Sequence, residues 1–230
     1  MVQVPQRTTA HGPTFIRLLA RLTDVDVPAS RQSLPDRLSQ WLEWTHALAL
    51  STALDGRPGG DALDGPTFGN EDEEECARLR ASLAQAVATD PVLVVASADG
   101  GAGEAAADYA VFRQRYLTLQ RRMQSATGHL RGRLRDRLAR QSVEMARLAE
   151  VDSVMELSLS PREQMLLAAV PALLGEHFER LRQRASVDGA EGESSVWLDG
   201  FRKDMQSVLL AELDVRFQPV EGLLAALRAR

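Results

Sequence analysis

Tyr109-Ala-Val-Phe112-Arg-Gln-Arg-Tyr116-Leu-Thr-Leu119-Gln-Arg-Arg-Met123-Gln-Ser-Ala126-Thr-Gly-His-Leu130 is the stretch that decides the fold. Its core-type residues, Tyr109, Phe112, Tyr116, Leu119, Met123, Ala126 and Leu130, recur at alternating steps of three and four. Seven residues per two helical turns is the coiled-coil period, so the spacing predicts a long helix that buries one seam against partner helices. The seam runs on through Leu134 and Leu138 in steps of four, a stutter that locally unwinds a supercoil. Gly128 and Gly132 each weaken a helix by roughly 1 kcal/mol relative to alanine and are candidate break points. Apolar spacing resumes at Met145, Leu148, Val151 and Met155, which predicts an arm over about 105–157.

Working outward, the same pattern recurs on both sides. Ser160-Pro161-Arg162-Glu163 reads as a helix start with a capping-box glutamate. The arm it predicts, about 161–185, carries Leu166, Val170, Leu173, Leu174, Phe178 and Leu181, with Pro171 as a kink or restart. A polar loop over 186–195 leads to a last arm, about 195–218, with Leu198, Phe201, Met205, Val208, Leu209, Leu213 and Phe217 on one face. Pro219 should end or kink it and leave a short tail helix, Val220 to Leu227.

Towards the N-terminus, Gly12-Pro13-Thr14 opens a helix to about Asp24 with Phe15, Leu18, Leu19 and Leu22 on one face. Ser33-Leu34-Pro35-Asp36 predicts a second helix through Trp41 and Trp44 to about Leu54. Its expected buried stripe is Leu34, Leu38, Trp41, Leu42, Thr45 and Leu48, with both tryptophans in the core. Asn70 to about Thr89 forms a third helix, with Cys76, Leu79, Leu83 and Val87 on one side and Asp90-Pro91 as its stop. Residues 56–70 and 96–103 read as flexible links.

The fold class is therefore all-α: an antiparallel helical bundle with long coiled-coil-like helices and a smaller N-terminal helical part. The expected division is an N-terminal helical segment over 1–56, an acidic flexible linker with one helix over 57–103, and a long-helix bundle over 104–230. Composition agrees, with 44% hydrophobic and only 5% aromatic residues, the apolar mass being mostly Leu and Ala. A single cysteine, Cys76, excludes an internal disulfide and fits a cytoplasmic setting. The N-terminus has no apolar signal core, and the most apolar window, Met165 to Leu174, is about half a membrane span. The expectation is a cytoplasmic chain without direct membrane insertion.

The sharpest electrostatic feature lies between residues 112 and 140. Nine arginines, Arg113, Arg115, Arg121, Arg122, Arg131, Arg133, Arg135, Arg137 and Arg140, stand there with one acid, Asp136. They form the candidate interaction surface. Phe112 and Tyr116 belong to the seam and are poor candidates for stacking on bases, so an ion-paired helix face comes first, a protein partner second and nucleic acid third. The acidic stretch 61–75 is the natural mate for these arginines, and the net charge of −5 gives the whole chain no pull on nucleic acid.

No catalytic residue, cofactor site or metal site is expected. The four histidines lack a His-Glu-x-x-His arrangement, and Gly100-Gly101-Ala-Gly103 lacks the lysine of a phosphate loop. Cys76 beside five acids should hold its proton. Leu166 to Leu174 suits core burial better than a docking groove for a partner helix.

Three stretches carry a resemblance: Gly12-Pro-Thr-Phe-Ile-Arg-Leu-Leu-Ala-Arg-Leu-Thr-Asp24, Ser30-Arg-Gln-Ser33 with Asp36-Arg-Leu-Ser-Gln-Trp41, and Leu210-Ala-Glu-Leu-Asp214 with Gln218-Pro-Val-Glu-Gly-Leu223. By these the chain resembles a proteobacterial family, the domain of unknown function 3348, over nearly its whole length. The resemblance brings no site residues. It implies a cytoplasmic accessory to a cell-envelope proton-channel-type complex. The expected function is a non-enzymatic helical adaptor or scaffold that binds a protein partner or itself through its helices. The alternative is a nucleic-acid-binding protein using the arginine-rich helix.

Overall fold

The computed structural model describes residues 14–24, 32–55, 70–94, 108–187 and 194–229. Within them the chain forms eight helices packed against each other and no strand. These are α1 (Thr14–Thr23), α2 (Leu34–Trp41), α3 (Trp44–Asp55), α4 (Asn70–Ala88), α5 (Tyr109–Leu138), α6 (Val143–Ala168), α7 (Val170–Val187) and α8 (Ser194–Arg228). The links expected at 56–70 (up to Gly69) and 96–103, the start at Gly12-Pro13, and most of the 186–195 loop lie outside the described residues.

The chain gathers into two compact units, each assembled from separate stretches. The first takes residues up to Arg31, Ala84–Arg121 and Ala169–Val215. Its core is aromatic: Phe178 and Phe201 meet edge-to-face with centroids 5.0 Å apart, and Phe112 meets Phe201 at 5.2 Å. Trp197 stands edge-on to Phe178. Such edge-to-face pairs place ring edges on ring faces, as the quadrupole favours. In this unit α1 packs on α7. Arg180 donates to the carbonyl of Leu22, satisfying one of the open acceptors at the C-terminal end of α1. Asp24, just past that end, takes a left-handed φ of 54°.

The second unit takes Gln32–Leu83, Arg122–Ala168 and Arg216–Arg230. Ser33 caps α2 as its sequence predicts, accepting from the Asp36 N–H while Asp36 accepts from the Ser33 N–H. The helix expected to run on to Leu54 instead breaks at Leu42-Glu43. Leu42 is extended, with φ −84° and ψ 115°, and α3 begins as a separate helix that packs on α6. The stripe shifts accordingly. Ala53 is buried, whereas Leu48 is exposed and Trp44 is 81% exposed, so Trp44 is not the core residue expected.

The seam of α5 is buried at Phe112, Tyr116, Leu119, Met123, Leu130, Leu134 and Leu138. Thr127, not Ala126, fills the step between Met123 and Leu130, its hydroxyl bonded to the Met123 carbonyl. The helix passes through Gly128 and Gly132 unbroken. The break comes instead at residues 139–142, within the expected 105–157 arm. Ser142 accepts from the Met145 N–H and donates to Glu144, so it starts α6.

Ser160-Pro161 is not a helix start, because α6 runs through Pro161. The helix is interrupted at Ala169, and α7 restarts with Pro171 in its first turn, where a missing N–H costs least. Pro219 likewise neither ends α8 nor leaves a separate tail helix. Phe217, Val220, Leu223, Leu224 and Leu227 around it are all buried. Their packing outweighs the roughly 3 kcal/mol a mid-helix proline costs.

Candidate partner-binding surface

Of the nine arginines, five are tied down within their own unit. Arg115 bonds Asp90, whose side chain is fully buried and also accepts from the Val92 N–H. Arg131 grips Asp152 through two bonds, at 2.7 and 2.9 Å. Burial works against the Arg131 charge, but the hydrogen bond and charge of Asp152, with Glu156, outweigh it and raise its pKa. Arg135 joins the same two acids. Arg133 pairs with Glu75 at 2.6 Å and Arg137 with Asp72 at 2.7 Å. Within the acidic stretch, Asp72 and Glu75 thus meet the arginine helix as their charges suggest, while Asp61 and Asp64 lie outside the described residues.

Arg113, Arg121, Arg122 and Arg140 are exposed, and none has an ion pair among the described residues. The surface that sequence placed along one helix is therefore mostly an internal ion-pair system. The Asp152 and Glu156 half of it was not read from sequence. A signal was present: Arg131 and Arg135, then Asp152 and Glu156, are opposite charges at a matched spacing of four on either side of the 139–142 turn.

The second unit also leaves large apolar side chains in solvent. Every exposed large hydrophobic side chain among its described residues lies on α3 or α6: Trp44, Leu48 and Leu54 on the first, and Val143, Leu148, Leu157, Met165 and Leu166 on the second. The expected burial of Leu166 to Leu174 splits, with Leu167, Val170, Pro171 and Leu174 buried and Leu166 exposed, as is Met165 just before it. Arg162 stacks 4.7 Å over the ring of Trp41, a cation–π contact bordering this surface. Along α3 the only formal charge is Asp55. A helix apolar on both faces is normally covered.

Glu212, His177 and Cys76 are engaged in structure. Glu212 is fully buried and accepts from the Tyr116 hydroxyl at 2.5 Å and the Gln120 amide at 3.2 Å. His177 bonds Asp204 at 2.9 Å, with Arg21 also near Asp204. Cys76 lines a shallow cleft of about 470 Å³ with Arg80, Phe217, Leu224 and Arg228. Burial, with Glu75 and Asp72, pushes its thiol up to about 11, the opposite of what a nucleophile needs. Among the described residues no group of three His, Cys, Asp or Glu is placed to hold a metal ion. Among the same residues no helix is long and apolar enough to cross a membrane.

Fold and surface together define an all-helical protein whose distinguishing external feature is apolar. The chain belongs to the family described as protein of unknown function, DUF3348, whose model matches residues 1–229. Comparison with curated proteins and with solved structures finds no match.

Proposed function

We propose that this chain is a non-enzymatic, cytoplasmic helical adaptor or scaffold that holds other proteins through the apolar surface of α3 and α6. The observation that carries the reading is the concentration of that unit's exposed large hydrophobics on two adjacent helices. Large apolar side chains left exposed on neighbouring helices point to an interaction site. The family resemblance directs the search to a cell-envelope proton-channel-type complex, to which the chain would be an accessory. The test is affinity capture of the tagged chain from its native cells in mild detergent, with and without nuclease. Nuclease-resistant recovery of envelope channel or peptidoglycan-binding proteins supports the adaptor. Recovery that collapses with nuclease removes it.

The second reading, nucleic-acid binding, draws on exposed Arg113, Arg121 and Arg122. It requires affinity that falls steeply with salt and is abolished when these three are reversed to glutamate. Arg131, Arg133 and Arg135 are the wrong targets for that test, since each holds an acid of the fold.

A further inference from the structure

We draw no further inference here: the strongest candidate, the shallow cleft of about 470 Å³ between α4 and α8, has a buried floor of Cys76, Phe217 and Leu224 and rim arginines, Arg80 and Arg228, that already pair with Glu221 and Glu73 across it, so nothing in the structure points to a ligand.

Discussion

Tyr109 opens α5 with its hydroxyl bonded to the Pro171 carbonyl and its ring against Gly175. A Cβ on residue 175 would lie 2.8 Å from Tyr109 Cε1, so the glycine is there for close approach. Gly175→Ala should destabilise the fold by about 1–3 kcal/mol through overpacking, read as a lower denaturant midpoint; an unchanged midpoint would contradict this packing. Burial also raises the Tyr109 phenol from 10.0 to about 12, against the pull of Arg113. Cys76 moves from 9.0 to about 11. Below pH 9 both groups keep their protons folded or unfolded, and their contribution to stability is at its plateau. Above that the unfolded chain releases protons first, so stability falls as pH rises through about 12. Denaturant melts across this range should show that loss, and Cys76→Ala should flatten its lower half.

The long helices were legible because their periodicity is long. The α8 stripe from Leu198 to Phe217 is buried throughout, and the α5 seam is buried apart from Tyr109 and Ala126, which are only partly so. The breaks were less legible. Residues 139–142 contain no Gly or Pro, and neither does Leu42-Glu43, so little local marks them. The prolines misled in the other direction, because at Pro219 the burial of flanking apolar residues outweighs the local penalty. Gly128 illustrates the same balance, since α5 carries it without interruption. An added Cβ there meets nothing within 4 Å, so Gly128→Ala should stabilise the protein by roughly 0.5–1 kcal/mol, seen as a raised thermal midpoint. The ion pairs of α5 divide by burial. Arg137→Ala leaves Asp72, which is 2% exposed, without that partner and should cost about 3 kcal/mol. Arg133→Ala breaks the more exposed pair to Glu75 and should cost at most about 1 kcal/mol. Chemical denaturation of both variants checks the ordering, and equal losses would contradict it.

At the scale of the whole molecule, sequence reading located the charges but not the surface. The arginine run was conspicuous, yet five of its nine members serve the fold, because the acids that neutralise them come from elsewhere in the chain. The apolar face was hidden, because Trp44, Leu48, Leu157 and Met165 look like core residues until neighbouring positions are seen to fill the core. The exposed apolar side chains of α3 and α6 are the surface proposed to hold other proteins. The central claim is that the apolar surface, not the arginine face, holds partners. The most direct measurement compares nuclease-treated captures made with the unsubstituted chain, with Trp44→Glu/Leu48→Glu, and with Arg113, Arg121 and Arg122 reversed to glutamate. The account predicts that the same proteins are recovered by the first and third chains and lost from the second. Recovery that survives the α3 substitutions and vanishes with the arginine reversals would contradict it.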